Sequence, residues 1–127
     1  MRLSINFDLS EFASKDGAAF PESVTANLQI LADQLQVLRD HLDKPIDIKS
    51  GYRSAEHNLK IGGALKSFHV TGQAADIAVP GVTPADIYAA IEELIKAGKM
   101  REGGLGLYAS WVHYDTRGKR IRWGNKK

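Results

Sequence analysis

Between residues 22 and 42 the apolar positions Val24, Leu28, Leu31, Leu35, Leu38 and Leu42 recur every three or four residues, with mostly polar residues between them. That period puts one stripe on one side of an α-helix and predicts a helix over 22–42, entered at Pro21, whose fixed φ suits a first turn. The opposite face, with Gln29, Asp33, Gln36, Arg39 and Asp40, reads as a solvated surface, and His41 as a favourable charge at the C-terminal end of the helix dipole. The period then changes. Residues 45–49 (Pro-Ile-Asp-Ile-Lys) alternate like a half-buried strand, and Ser50-Gly51-Tyr52-Arg53-Ser54 follows as a turn. A second helix is announced by Thr83 as N-cap, Pro84 at the first helical position and Asp86 three residues on. It runs through Ile87, Ile91, Leu94 and Ile95 and stops at Gly98. Further strands are expected over 75–79, 104–108, 111–116 and 120–123. The order helix, strand, strand, helix, strands predicts an α+β fold, a small and largely antiparallel sheet with flanking helices.

Length and composition narrow the class without changing this outline. A chain of 127 residues is long enough for one packed core, and with no repeat, low-complexity tract or linker, residues 1–127 are expected to form a single domain. The hydrophobic fraction of 43% and charged fraction of 25% are those of a globular chain rather than a disordered or fibrous one. Seventeen basic against fifteen acidic residues, a net charge of +2, is too balanced for a nucleic-acid footprint; the local basic run around Arg117, Lys119, Arg120, Arg122, Lys126 and Lys127 reads as a soluble surface. No nucleic-acid partner and no membrane insertion are expected, and the chain is expected to be a monomer. Its opening residues, MRLSINFDLSEF, alternate apolar and polar positions and lack the apolar core of a secretory signal, so synthesis in the cytoplasm is the expectation. The absence of cysteine matters most for chemistry: a metal here has to be held by imidazole and carboxylate.

The segment Ser67-Phe68-His69-Val70-Thr71-Gly72-Gln73-Ala74-Ala75-Asp76 is where such ligands are concentrated. Strand alternation sets Ala74, Asp76 and Ala78 on one face and Ala75, Ile77 and Val79 on the other, so Asp76 points away from the apolar side. His69 precedes that strand, and Gly72 lets the backbone fold back towards it. In Trp111-Val112-His113-Tyr114-Asp115 the same alternation groups Trp111, His113 and Asp115, so His113 completes a two-histidine, one-aspartate set if the two strands are neighbours. Spacing alone leaves a second reading open, in which His69 and His113 are buried histidines hydrogen-bonded to nearby acids.

A wider set of motifs runs in order along the chain: Asp8-Leu9-Ser10-Glu11-Phe12, Ser50-Gly51-Tyr52-Arg53-Ser54, His57-Asn58, Ile61-Gly62-Gly63-Ala64, Ser67-x-His69, Gly72-x-Ala74-x-Asp76, Gly103-Gly104-Leu105-Gly106-Leu107-Tyr108, and Val112-His113-Tyr114-Asp115-Thr116-Arg117-Gly118 with Trp123. Together they resemble the M15 family of zinc peptidases, near its D-alanyl-D-alanine carboxypeptidase branch, and imply the hedgehog/DD-peptidase-like fold. The resemblance implies Zn2+ held by His69, Asp76 and His113. It implies amide hydrolysis in a peptidoglycan peptide at the bacterial cell wall, of carboxypeptidase, endopeptidase or endolysin type, with phage-type release or another export route. It casts Arg53 as the partner of a substrate carboxylate or of the developing oxyanion, a task its planar fork suits.

Ser67 is a candidate substrate hydrogen-bonder or a turn former, Trp111 a pocket wall, and His57 and Asn58 residues that order the loop after Arg53. One departure stands out. Members of the family carry an acid three residues before the last zinc histidine, or a histidine two before it, and here those positions are Ser110 and Trp111. Asp115 is then the nearest acid, either as general base or as a group that orients a ligand or pairs with Arg117 or Arg53; Glu102 is the next acid. The missing acid also supports an alternative function, a zinc-containing module that binds cell-wall peptide or protein without turnover.

Overall fold

A computed structural model describes residues 1–64 and 66–124; Lys126 and Lys127 of the basic tail lie outside the described residues. The chain opens with a short hairpin, β1 (Arg2–Ser4) and β2 (Phe7–Asp8), and a 3-10 turn at Leu9–Phe12. Asp8 caps this turn by accepting from Ser10 N, while the Glu11 carboxylate accepts from Asp8 N, a reciprocal capping box. The helix α1 follows at Glu22–Leu42, within the predicted bounds, and buries Val24, Leu28, Leu31, Leu35 and Leu38. Burying each leucine of this stripe contributes roughly 2 kcal/mol of transfer free energy before the entropy of ordering is subtracted.

The remaining elements are β3 (Asp47–Ser50), α2 (Ala55–Lys60), β4 (Ala74–Ala78), α3 (Pro84–Lys96), β5 (Gly104–Leu107), β6 (Val112–Asp115) and β7 (Ile121–Gly124). Thr83 caps α3 by accepting from Asp86 N, and Gly98 follows the helix end with φ +75°. The second sheet has the order β3-β4-β6-β5-β7, antiparallel throughout except for the parallel pair β5 and β7. Two features depart from the outline read in the sequence. Residues 55–60 form a helix rather than a loop, too short to show an apolar stripe, with Leu59 exposed and Ser54 as its N-cap accepting from His57 N. The opening alternation is a hairpin, whose Leu3 and Phe7 are buried.

The sheet has two unlike faces. Ala75, Ile77, Leu105, Leu107, Val112 and Tyr114 join the helices in the core. On the other face the register lines up Ser50, Asp76, His113, Gly106 and Trp123 in one row across all five strands. Period-two alternation produces both: each core residue is followed by one that points the other way.

Candidate metal centre and cleft

That row is the floor of the site. Asp76 and His113 are directly opposite on antiparallel β4 and β6, a pairing that brings Cβ atoms within roughly 5 Å. His69 arrives from the turn before β4. Its backbone carbonyl accepts from both Arg53 N (3.0 Å) and Gly72 N (3.3 Å), which ties the loop to the segment carrying Arg53. Gly72 turns the chain at φ +79°, and a Cβ there would come within 2.8 Å of Val24 on α1, so both the conformation and the close approach to α1 need glycine.

The hydrogen bonds fix which nitrogens face inward. His69 Nδ1 lies 2.8 Å from Gly51 O, and since a carbonyl only accepts, Nδ1 carries the proton and Nε2 is left with a lone pair. His113 Nε2 donates to Asp115 Oδ2 at 2.7 Å, which leaves Nδ1 of that ring inward. The two inward nitrogens meet the same oxygen, Asp76 Oδ1, at 3.4 and 3.3 Å, and the three ligand atoms all lie within 4.8 Å of one another. Tetrahedral bonds of about 2.0–2.1 Å put neighbouring ligand atoms roughly 3.4 Å apart. Two nitrogens and one oxygen at these separations fit zinc, with a fourth direction open to the cleft.

Charges in the cluster follow the same contacts. Burial opposes ionisation of Asp76, but its contacts with the His113 and His69 rings outweigh it and hold the carboxyl well below its ordinary range. Burial likewise disfavours the charged ring of His113, and is outweighed by the hydrogen bonds to Asp115 and Asp76, so its pKa is raised in the metal-free protein.

Asp115 is fully buried behind His113. Its Oδ1 accepts from Gly104 N (2.8 Å), Arg117 N (3.2 Å) and Arg117 Nε (2.9 Å), and its Oδ2 from His113 Nε2 and Arg117 Nη2, the latter also at 2.7 Å. Burial of Asp115 is again outweighed by its hydrogen bonds, those of His113 and Arg117 foremost, and its pKa is lowered. Of the two partners open for Asp115, Arg117 is the one it pairs with.

An open cleft of about 410 Å³ lies over the row. Arg53, His69, Asp76 and His113 line it together with Ala64, Lys66, Ser67, Phe68, Tyr108, Trp111, Arg117 and Trp123, and the Arg117 guanidinium lies over the Phe68 ring at 4.3 Å. Arg53 Nη2 reaches Asp76 Oδ2 at 3.5 Å. The Ser67 hydroxyl oxygen accepts from His69 N at 3.2 Å, so it forms the turn while also lining the cleft. Trp111 stacks on Tyr108 (centroids 4.7 Å, planes 12° apart), and Trp123 donates from Nε1 to Tyr108 Oη at 2.8 Å. His57 lies away from the cleft, in a groove with Lys15 and Asp16. Glu102 pairs with Arg122 at 2.8 Å and does not line the cleft.

Lys66 and Phe68 line the cleft although sequence reasoning gave them no role, and Tyr108 and Arg117 entered it only within a motif and as a partner for Asp115. A signal was present in Gly103-Gly104-Leu105-Gly106. Gly104 and Gly106 share the site face of β5, where a Cβ would meet Asp115 Oδ2 at 2.3 Å and the Trp123 ring at 2.5 Å. Alternate glycines in a strand mark large groups laid across its surface.

Comparison with known proteins agrees with this geometry. The chain is 39% identical over 95 residues to the peptidoglycan L,D-endopeptidase MepK of Escherichia coli, covering 68% of this chain and 49% of that one. It is 37% identical over 62 residues to the zinc D-Ala-D-Ala carboxypeptidase of Streptomyces albus G, covering 48% of this chain and 24% of the relative. A probable peptidoglycan L,D-endopeptidase MepK of Haemophilus influenzae is 33% identical over 78 residues, 56% of this chain and 39% of the other. The chain thus spans at most about half the length of these relatives. The family model for peptidase M15 matches residues 5–115, which takes in β2 to β6 and all three converging side chains, and the chain belongs to the peptidase M15 family.

Proposed function

We propose that the protein is a zinc-dependent peptidase that hydrolyses an amide bond in cell-wall peptides of peptidoglycan. One observation carries the reading: two imidazole lone pairs and a carboxylate oxygen face one point on the floor of an open cleft, and the outer nitrogens of both rings are locked by Gly51 O and Asp115. His69, Asp76 and His113 would hold the metal. Bound there with an open position, zinc supplies Lewis acidity, activating water and polarising a carbonyl at neutral pH.

The other residues bind and orient. Arg53, beside Asp76 and facing the cleft, suits a substrate carboxylate or the charge that develops on the carbonyl oxygen. Tyr108 and Trp111 offer a flat wall for the substrate, and Ser67 keeps its hydroxyl proton available to it. Asp115 spends both oxygens on Gly104, Arg117 and His113, which favours its role in orienting His113 over that of a proton acceptor. The proposed substrate is a peptidoglycan peptide, taken by a monomeric domain at the cell wall after release or export. Among the described residues no helix is long and apolar enough to cross a membrane.

The test is digestion of purified peptidoglycan by the zinc-loaded and the metal-stripped protein, with the products identified by mass spectrometry. New amine and carboxyl ends that appear only with zinc are expected. Arg53→Lys should lower turnover roughly tenfold or more at unchanged metal content, since lysine keeps charge but loses the fork. A second reading, a zinc-containing module that binds peptide without turnover, draws on one observation: among the described residues lining the cleft, Asp76 is the only carboxylate. Zinc and peptide binding with no cleavage of any bond would select it.

A further inference from the structure

Asn58 is 4% exposed, and its side chain is used at both ends. Its Oδ1 accepts from Arg53 Nη1 at 3.3 Å, and its Nδ2 donates to the carbonyl of Ala64 at 2.8 Å. Its backbone carbonyl in turn accepts from Gly63 N at 2.8 Å. Helix α2 therefore grips the 62–64 segment through one residue and holds Arg53 with the same side chain. Ala64 and Arg53 both line the cleft. Gly63 completes the fit, because a Cβ there would lie 2.0 Å from Asn58 Oδ1.

The Arg53 side chain has two further contacts. Nε reaches Ser50 Oγ at 3.3 Å and Nη2 reaches Asp76 Oδ2 at 3.5 Å. A guanidinium has five N–H donors, so three are steered by the protein and two remain for a ligand. Asn58 suits this task because it is neutral. It aims Arg53 without cancelling the charge that an incoming carboxylate needs, whereas an aspartate would pair with the arginine outright.

We propose that Asn58 is a positioning residue that sets the direction of the Arg53 fork and couples it to the cleft rim at Ala64, so that the site selects a substrate carrying a free carboxylate beside the scissile bond. The inference rests on the reading of Arg53 given above. Short peptide ligands separate the two.

The test is calorimetric binding of two synthetic peptides to the zinc-loaded full chain, one ending in D-alanine with a free carboxylate and the other in the corresponding amide. Wild-type protein should prefer the acid. In Asn58→Ala the acid should bind about tenfold more weakly while the amide is unaffected, with unchanged zinc content. Hydrolysis should show the same loss in KM with kcat nearly unchanged. Asn58→Asp, which keeps size and shape, should also lose the preference because its own carboxylate competes for Arg53. Gly63→Ala should lose it by displacing Asn58. Added to Arg53→Ala, Asn58→Ala should cause no further loss, as expected when one residue acts through the other.

Equal losses on acid and amide, or additive losses in the double variant, would overturn the proposal and leave Asn58 a support of the rim alone. If Asn58→Ala does not fold, a normal acid preference in Asn58→Asp and Gly63→Ala overturns it as well. No preference in the wild type removes the positioning role together with the carboxylate role of Arg53. An acid preference that the variants lose, in a protein that cleaves nothing, sustains the positioning role while the peptidase reading fails.

Discussion

Two charged clusters sit on opposite faces of the same sheet, and they are built on different principles. On the helix side, Arg122 of β7 pairs with Glu92 of α3 at 2.9 Å and with Glu102 at 2.8 Å, and Arg120 adds a longer contact to Glu92 at 3.2 Å. Every acceptor there meets N–H donors, so the cluster is complete as it stands. On the cleft side, two imidazole nitrogens with lone pairs face a carboxylate oxygen, three acceptors around one point. Such an arrangement is short of positive charge, and it lies under a cleft whereas the other lies against a helix. The contrast shows why a count of ion pairs does not find a site: the informative cluster is the one whose members do not satisfy each other.

The sharpest way to break the contrast is to remove a proposed ligand. His69→Ala, Asp76→Ala and His113→Ala should each lose nearly all zinc by metal analysis, and full occupancy in His113→Ala would remove that residue from the set. A smaller effect is expected from the support. Asp115→Asn should lower zinc affinity about 10–100-fold, with activity restored by excess zinc. A fall in rate of ~10²–10⁴ at normal affinity would instead identify Asp115 as a proton acceptor.

The clusters also respond differently to pH. Because the pKa of His113 is raised above 6.5 in the metal-free protein, zinc has to displace its proton. Affinity should then fall about tenfold per unit as pH drops through and below that range, and proton release on binding, read by titration calorimetry, should be larger at low pH. Glu92 has its pKa lowered from 4.5, chiefly by the Arg122 hydrogen bond. Glu102 is shifted the same way, because Arg122 outweighs the cost of burial. For depressed carboxyls the stability is present above the ordinary range and is lost as pH falls below it, so the helix-side cluster should be indifferent to pH between about 5 and 8.

The smallest effect is expected from Glu92→Gln. The pair is partly solvated, so urea denaturation should register less than about 1 kcal/mol, and zinc content should not change.

Much of this could be read before any coordinates. The stripe from Val24 to Leu38 and the Thr83-Pro84 start define α1 and α3 because their signals are local, a period and a cap. The motifs around His69, Asp76 and His113 pointed to the peptidase M15 family, to which the chain belongs. Alternation placed Asp76 on the face opposite Ile77, and His113 opposite Val112 and Tyr114, which is how the sheet divides them. Helix α2 escaped notice because six residues with an exposed Leu59 carry no period to detect.

What the chain determines by itself, then, is which residue types are available and which way each points along its own element. With no cysteine, imidazole and carboxylate are the donors on offer, and a period of two or 3.6 assigns each to a face. Tertiary structure decided what those residues meet. Neighbouring β4 and β6 set Asp76 across from His113. The parallel return of β7 laid Trp123 over Gly106. These are contacts between elements far apart in sequence, fixed by strand register and by packing on α1. A local pattern carries no information about them, because the same alternation would satisfy any register that keeps the apolar face inward.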